Sequence, residues 1–401
     1  MPYARDVTSN FHDDLPSLLN RAEDRMIDLR HDLHAHPELS FEEHRTTEVI
    51  TSRLGELDWA LQPCPTETGA VAVLDTGRPG KTVLVRADID GLPVTEERDL
   101  AFRSLNDEAM HACGHDVHTA ALLGIADVLG QRRDQLSGKY VALFQPAEEG
   151  LGGARRMIDG GVLRDLGVDV AIGAHVTSLA PVGIVASRPG VIMSEANGFR
   201  VDIRGKGGHG AMASSDGNVV LAVSALAQRL GDAVTGLTHE EGSCACSAGV
   251  ISAGTANNVV PRHARLQGTL RTFTDEQTTE ARRRIDGFLE ELRRDFAVEC
   301  TFSITSHTPR VENNAEINRR VEASAKKIVG DDFVWRIPPA SPSDDMSEFL
   351  REVPGAYIFV GGGLADGTSG MHHSPDFALD DAAVRMTAAI LATAAVDLAQ
   401  G

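Results

Sequence analysis

The segment TVLVRADID, residues 82–90, places a largely apolar run directly before two aspartates. Hydrophobicity in its first part is continuous rather than alternating, which is typical of a strand covered on both faces. Further runs of this character are AVAVL at 70–74, YVALFQ at 140–145, VAIGAH at 170–175 and AYIFVG at 356–361. Helical patterns open the chain at 15–33, separate the runs at 118–131 and fill the last twenty residues. The sequence therefore predicts an α/β fold with a mostly parallel sheet flanked by helices.

The pattern changes between about residues 195 and 305. FRVDIRG at 199–205 alternates as a half-exposed strand does, and two helices are predicted at 218–230 and 275–297. Further strands are predicted at 246–252, 264–273 and 299–305. The order β-α-β-β-α-β is that of a ferredoxin-like α+β unit. We therefore expect a ferredoxin-like domain at 191–306, inserted in a larger domain made of 1–190 and 307–401.

Composition narrows the class of partner. The formal net charge of −20 over 401 residues argues against nucleic acid and anionic membranes, because both would be repelled. We expect no bilayer-spanning run and no secretory leader in MPYARDVTSNFHDDLP, residues 1–16, and hence a cytoplasmic protein. Five cysteines without framework spacing predict thiols that are buried fillers or metal ligands. Small molecules and cations remain as partners.

Polar residues follow the predicted strands where each strand ends. They are Asp88 and Asp90, Glu148 and Glu149, His175, and the pair His372 and His373. In an open parallel sheet, ligands bind beyond the carboxyl ends of the strands, so we expect these side chains to meet at one edge. The two histidines at 372 and 373 are adjacent, and only one of them is expected to bind directly.

The stretch MHACGHDVHTAALLG, residues 110–124, adds two candidate ligands. Cys113 and His115 lie two residues apart, and on an extended segment before a helix both would face the same way. Thiolate and imidazole suit zinc, while carboxylates extend the range towards manganese. A pair of metal ions that share ligands is expected.

Each of these residues has a plainer interpretation when it is taken alone. Cys113 would be a buried structural thiol, and a single histidine such as His118 or His209 would be structural or exposed. Glu148 and Glu149 would be a solvated loop pair. Convergence on the strand ends favours a shared metal site over these separate interpretations.

With these residues assembled, the chain resembles the M20 metallopeptidase family. The resemblance is strongest to the amidohydrolase branch of N-acyl amino acid hydrolases, which includes hippurate and auxin-conjugate hydrolases. The matching segments are LRHDLHAHPELSFEE at 29–43, RADIDGLPVTEE at 86–97, MHACGHDVHTAALLG at 110–124, FQPAEEGLGGA at 144–154, GAHV at 173–176, GKGGHG at 205–210, NVVP at 258–261, GTLRTF at 268–273 and HSPDF at 373–377. The resemblance implies a dizinc-exopeptidase-like catalytic domain that carries an inserted lid.

The resemblance also implies roles for individual residues of this larger domain. The implied metal ligands are Cys113, His115, Glu149, His175 and His373, with the cysteine bridging two divalent ions. Glu148 falls on the general base, and Asp90 on the carboxylate that orients a ligand imidazole. Zinc or manganese is expected, and cobalt or nickel is also found in this family.

In the lid, the resemblance implies that His209 steadies the oxyanion and reaches across from a neighbouring subunit in dimeric relatives. Asn258 and Arg271 match residues that hold the free carboxylate of the substrate. From the residues alone, Arg271 could equally be an outward charge on an alternating strand. A homodimer or higher homo-oligomer is therefore expected.

Two departures from the family pattern concern this chain. Relatives commonly continue with a Pro-His pair after the histidine that matches His209, whereas this chain has GAMASSDGNVV at 210–220. Asp345 stands where relatives usually carry a glutamate. The first segment borders the implied substrate site, and the second changes the length of the side chain more than its charge.

Together these features predict hydrolysis of the amide bond of an N-acyl amino acid by a metal-activated water, with release of a carboxylic acid and a free amino acid. A dipeptidase or carboxypeptidase with the same site is the nearest alternative. A catalytically silent metal or amino-acid binder is a third, but Glu148 and His209 argue against it because a binder needs neither.

Overall fold

The structure is a computed structural model that describes residues 7–240 and 242–400. The chain forms two compact units. The first unit contains the chain up to Gly190, Glu312–Ile337 and the residues from Asp345 onward, and the second contains Val191–Val311 and Pro338–Asp344. The sequence instead predicts that 307–311 and 338–344 belong to the larger domain. Residues 1–6, part of the segment in which no leader is expected, lie outside the described residues.

The helices follow one another along the chain as α1 Val7–Ala35, α2 His44–Glu56, α3 His115–Gly130, α4 Gly153–Asp159, α5 Val162–Leu166, α6 Val219–Arg229, α7 Asp275–Phe296, α8 Ala315–Val329, α9 Met346–Glu352 and α10 Ala382–Ala399. The strands are β1 Ala60–Gln62, β2 Ala70–Asp75, β3 Thr82–Asp88, β4 Lys139–Gln145, β5 Val170–Pro181, β6 Val185–Ser187, β7 Gly190–Met193, β8 Glu195–Arg204, β9 Gly208–His209, β10 Thr238–His239, β11 Gly242–Ser243, β12 Ala245–Ala253, β13 Val259–Val260, β14 His263–Thr272, β15 Glu299–Thr308, β16 Val311–Asn313, β17 Val334–Arg336 and β18 Gly355–Gly363.

The first unit is built on an eight-stranded sheet in the order β1-β2-β4-β3-β5-β18-β6-β17. The four central strands β4, β3, β5 and β18 run parallel, and antiparallel pairs join β1 to β2, β2 to β4 and β18 to β6. Every residue of β3 is buried, as its continuous hydrophobicity predicts. The mostly parallel sheet with flanking helices is confirmed.

The glycines at 361–363 lie in a strand rather than in a loop, although a run of glycines is a loop signal in sequence. They complete β18, which pairs with β5 through Gly361 and Gly363. A Cβ atom at Gly361 would lie 2.1 Å from the carbonyl oxygen of Pro181. Only glycine therefore allows the two strands to approach so closely.

Helix α10 is long and apolar enough to cross a membrane by length and composition, although the sequence is expected to contain no bilayer-spanning run. In the folded chain, however, 78% of the helix is buried. It packs against α1, α3 and α8, and Ile390, Ala394 and Leu398 are completely buried. Its apolar composition is that of a core helix.

The second unit contains the predicted order β8-α6-β12-β14-α7-β15. Its antiparallel sheet has the strand order β12-β14-β8-β15 and forms one hydrophobic core with α6 and α7. A capping box between Thr274 and Gln277 begins α7, and Asp275 lies in its first turn, where a negative charge favours the helix dipole. The order of these elements and the signals at the start of α7 are visible in the sequence, which is why it predicts this unit.

Candidate metal centre

The C-terminal ends of β4, β3, β5 and β18 share one edge of the sheet, because these strands are parallel neighbours. The polar residues predicted to meet lie at this edge or in the loops that follow it: Asp88, Asp90, Glu148, Glu149, His175, His372 and His373. The loop before α3 brings Cys113 and His115 to the same place. The order of the strands thus brings together polar side chains that are up to almost 300 positions apart in the sequence.

The predicted ligands form one connected cluster. Three overlapping sets have all their ligand atoms within 4.8 Å of one another: Cys113, His115 and His175; Cys113, Glu149 and His373; and His115, Glu148 and Glu149. Cys113 belongs to the first two sets. Its sulfur lies 3.4 Å from Nε2 of His175, while Nε2 of His373 lies 3.2 Å from Oε1 of Glu149. This arrangement suits a thiolate that contacts two ions.

The backbone that presents Cys113 and His115 differs from the prediction. An extended segment was expected, but Cys113 lies in a turn and His115 is the first residue of α3. Gly114 between them has a φ of 88°. A Cβ atom there would lie 2.6 Å from Cγ2 of Val176, so both the left-handed conformation and the tight packing require glycine.

Hydrogen bonds orient the histidines of the cluster. Nδ1 of His115 donates to the carbonyl oxygen of Asp90 at 2.9 Å, and its buried Nε2 makes no hydrogen bond to any described residue. Nδ1 of His175 lies 2.6 Å from the carbonyl oxygen of Val176, which directs Nε2 towards Cys113. Burial and the neighbouring His118 lower the pKa of His175 to about 3, so its imidazole is neutral and able to bind a metal.

His118 is a supporting residue. Its Nδ1 donates to Oδ1 of Asp88 at 2.5 Å, and its Nε2 accepts the backbone N–H of Val176 at 2.9 Å. Both ring nitrogens are therefore used. Since Val176 follows His175 directly, the second bond helps to fix a predicted ligand.

The electrostatics of the cluster favour a cation. Burial, together with the carboxylates of Glu149, Glu148 and Asp88, raises the pKa of the Cys113 thiol well above its usual value. Burial alone would lower the pKa of His115, but Asp88 and Asp90 raise it to about 10. Neighbouring carboxylates contribute to both shifts, so negative charge surrounds both donors. The sulfur, imidazole and carboxylate donors and the unused Nε2 of His115 fit divalent metal ions of the zinc or manganese type.

Both histidines of the 372–373 pair lie near Cys113. The ring of His372 is partly buried, with Nδ1 3.7 Å from the sulfur of Cys113 and Nε2 accepting the N–H of Ser178 at 3.3 Å. His373, the predicted ligand, has a φ of 63° and donates its backbone N–H to the carbonyl oxygen of Ala112. A strained backbone at a non-glycine residue is typical of functional sites.

Arg86 and Asp345 form a buried ion network with Asp88 under the cluster, and no role for Arg86 is predicted from the sequence. Arg86 donates to Asp88 at 2.5 Å and to Asp345 at 3.0 Å. Asp345 also accepts from the side chain of Gln145 and the backbone N–H of Ala154. The signal in the sequence was an arginine inside an otherwise apolar strand. The network connects β3, β4 and the start of α9 directly beneath the metal-binding edge.

A second network fixes the start of α3. Nδ1 of His34 lies 3.0 Å from Asp116, its Nε2 lies 3.3 Å from Glu96, and Arg30 also donates to Asp116. Burial lowers the pKa of His34, but hydrogen bonds and charge from Asp116 and Glu96 outweigh burial and raise it to about 9. We infer a buried imidazolium at neutral pH. Two residues of α1, Arg30 and His34, thus hold Asp116, which directly follows His115 at the start of α3.

This network predicts a pH dependence of stability. The folded-state pKa of His34 lies above its unfolded value of 6.5, so its contribution is complete below pH 6.5 and is lost as the pH rises through 9. We expect the free energy of unfolding to fall by about 3 kcal/mol more in the wild type than in His34→Gln over this window. Urea titrations of the metal-free proteins, followed through Trp59 and Trp335 in the first unit, measure it. If the free energy of unfolding depended on pH in the same way in both proteins, His34 would be neutral in the folded state.

The second unit holds the three predicted substrate residues. His209 is exposed on β9, next to Val259 of β13, and Gly210 donates its N–H to the carbonyl oxygen of Asn258. His209 and Asn258 are thus neighbours. Arg271 is half-buried on β14 and donates to the carbonyl oxygen of Ser341 at 3.1 Å and the hydroxyl of Ser343 at 3.4 Å. Its side chain does not simply point into solvent.

The chain is similar to known proteins over most of its length. The sequence model of peptidase family M20/M25/M40 matches residues 84–397. An N-acetylcysteine deacetylase of Bacillus subtilis is 33% identical over 374 residues, which cover 93% of this chain and 96% of that protein. Thermostable carboxypeptidase 1 of Saccharolobus solfataricus is 33% identical over 383 residues, which cover 93% of this chain and 95% of that protein. The Bacillus subtilis YXEP protein, described as a dinuclear metal-binding peptidase, has a TM-score of 0.80 at 29% identity and covers 95% of this chain and 99% of that one.

Proposed function

The chain belongs to peptidase family M20/M25/M40, and we propose that it hydrolyses the amide bond of N-acyl amino acids to a carboxylic acid and a free amino acid. The observation that carries this proposal is the cluster in which a carboxylate oxygen of the partly buried Glu148 lies within 4.8 Å of the ligand atoms of His115 and Glu149. A site that only bound metal would not need this additional carboxylate. The N-acetylcysteine deacetylase relative supports an acyl group as one side of the scissile bond.

The enzyme is a metal-dependent amidohydrolase that uses two divalent ions. We propose that Cys113, His115, Glu149, His175 and His373 would hold the ions and that Cys113 would contribute to both sites. Zinc is our first candidate because thiolate and imidazole favour it, manganese is the second because of the carboxylates, and cobalt or nickel would fit the same donors. When bound, the ions would polarise the scissile carbonyl and make water more acidic.

Glu148 acts as the general base in this mechanism. Its carboxylate takes a proton from the attacking water as the water oxygen bonds to the amide carbon. It then delivers that proton to the leaving nitrogen as the carbon–nitrogen bond breaks. Asp90 supports this step because it accepts the backbone N–H groups of Glu148 and Glu149, both at 3.1 Å, and lies against His115.

In the second unit, we propose that His209 stabilises the oxyanion and that Asn258 and Arg271 bind the substrate carboxylate. A homodimer or higher homo-oligomer is part of this proposal. It is supported by β12, which forms an edge of its sheet and can pair with a strand of another chain. Val250 and Ile251 on this strand are apolar and about half exposed. We place the enzyme in the cytoplasm, in keeping with five cysteines that form no disulfide among the described residues.

A carboxypeptidase or dipeptidase is the second candidate, and the Saccharolobus carboxypeptidase relative favours it. The two candidates differ in what precedes the scissile amide. An N-acyl amino acid carries an uncharged acyl group there, whereas an unblocked dipeptide carries an amino acid with a charged amine.

A substrate panel on the reconstituted apo-protein tests the proposed function. We expect kcat/KM for N-acetyl or N-benzoyl amino acids to exceed that for matched unblocked dipeptides by at least about tenfold, because a pocket shaped for a neutral acyl group disfavours a charged amine. The panel is run with zinc, manganese, cobalt and nickel in turn. Cleavage of dipeptides alone would establish the second candidate. Activity that survives complete chelation would exclude the metal-dependent mechanism.

A further inference from the structure

Three consecutive backbone N–H groups of the loop that carries Glu148 donate to buried carboxylates. Those of Glu148 and Glu149 donate to Asp90, as described above. The N–H of Ala147 donates to Oε1 of Glu43 at 2.9 Å. Glu43 immediately precedes α2 and is more than 100 positions away in the sequence. Its role is not explained by the metal centre alone.

The residue that Glu43 holds has an unfavourable backbone conformation. Ala147 has a φ of 55°, in the left-handed region that L-residues with a side chain rarely adopt. It is completely buried, and its carbonyl oxygen accepts the N–H of Gly153. Because Ala147 directly precedes Glu148, its backbone angles set the direction in which the loop presents Glu148 and Glu149.

Glu43 is itself fixed in place. Its side chain is completely buried, and Oε2 accepts the hydroxyl of Thr68 at 2.6 Å while Oε1 accepts the N–H of Ala147. Hydrogen bonds to both oxygens leave the carboxylate little freedom to turn. Burial raises the pKa of the Glu43 carboxyl, while the hydrogen bond from Thr68 lowers it, and an uncharged carboxyl oxygen can still accept the N–H of Ala147.

We propose that Glu43 is a positioning residue for the catalytic loop: its carboxylate holds Ala147 in the left-handed conformation that directs Glu148 and Glu149 to the metal centre. The effect on catalysis rests on the proposed function. The effect on metal binding through Glu149 does not require turnover of any substrate.

Two substitutions at position 43 test this role. In Glu43→Ala, we expect kcat to fall about 10- to 100-fold with KM nearly unchanged, because a displaced base slows the chemistry without removing a substrate contact. Metal affinity should fall as well, and hydrogen exchange of the N–H groups at 147–149 should become faster. Glu43→Gln should stay within about threefold of the wild type, since its amide oxygen can still accept from Ala147.

A second-site substitution separates positioning from packing. Glycine adopts positive φ without a steric penalty, so adding Ala147→Gly to Glu43→Ala should recover about threefold to fivefold in kcat. If Glu43 only filled space, the added glycine would lower stability and restore nothing. That result would overturn the inference.

Glu38 provides a matched control. Its carboxylate accepts the backbone N–H groups of Arg45 and Thr46 in α2, at 2.9 and 2.8 Å. Glu38→Ala should lower the melting temperature without changing kcat or exchange at 147–149. Equal losses of activity in the Glu38 and Glu43 variants would contradict the proposal. If the wild type hydrolyses no N-acyl amino acid but Glu43→Ala still weakens metal binding and exposes the loop, the proposed function fails while the role of Glu43 stands.

Discussion

Replacement of Glu148 by glutamine is expected to lower kcat for N-acyl amino acid hydrolysis by about 10³-fold, since a positioned general base contributes 10²- to 10⁴-fold. Glutamine has nearly the same shape and can occupy the same loop, but it cannot take a proton from water. Both metal ions should remain bound, because Glu148 is not among the proposed ligands. Steady-state kinetics together with metal analysis of the purified variant measures the two effects separately.

The neighbouring carboxylate supplies the control for this experiment. Glu149→Gln changes the same loop by the same chemistry, but Glu149 lies 3.2 Å from His373 and is a proposed ligand. This variant should lose metal affinity, and its activity should return in part at high metal concentration. A metal-loaded Glu148→Gln protein with wild-type kcat would show that another group is the base.

The architecture was predictable because its signals are local. Strands β3, β4, β5 and β18 each contain a largely apolar run, which is typical of a sheet covered on both faces. The second unit was predictable from the order of its elements and from the charge pattern of α7. The resemblance to the M20 family is also confirmed by the family match over residues 84–397.

The local geometry of the site was less predictable, because it depends on contacts between distant segments. The turn at Cys113 follows from the packing of Gly114 against Val176, which sequence spacing does not report. The bond from Ala147 to Glu43 joins segments over 100 positions apart. The sequence alone indicates a structural or exposed histidine at His118, and only the fold shows that its two ring nitrogens bond to Asp88 and Val176.

The roles of the site residues remain predictions that rest on this geometry. Asp345 illustrates the limit of sequence comparison. Its shorter side chain was noted as a departure from the family, yet both oxygens accept hydrogen bonds in a buried network with Arg86 and Gln145. The substitution of aspartate for glutamate is thus accommodated by the surrounding donors.

Replacement of Cys113 by serine is expected to weaken metal binding by at least about 100-fold, because loss of outer-sphere partners alone costs 10- to 100-fold and Cys113 is a proposed direct ligand to both ions. A serine hydroxyl is a poor, neutral donor for ions that favour a thiolate. Activity should fall with metal occupancy. Titration of the apo-protein with zinc and with manganese, followed by calorimetry, measures the loss.

The fold should survive this substitution, which is what makes the experiment informative. Cys113 is 7% exposed and serine is slightly smaller, so the melting temperature of the metal-free protein should change by less than about 3 °C. Cys246→Ser is the matched control, since Cys246 is also buried but belongs to the core of the second unit, and it should keep both metals. If Cys113→Ser retained both ions at wild-type affinity, the cysteine would be a structural thiol, and the two ions would have to be held by the histidines and carboxylates alone.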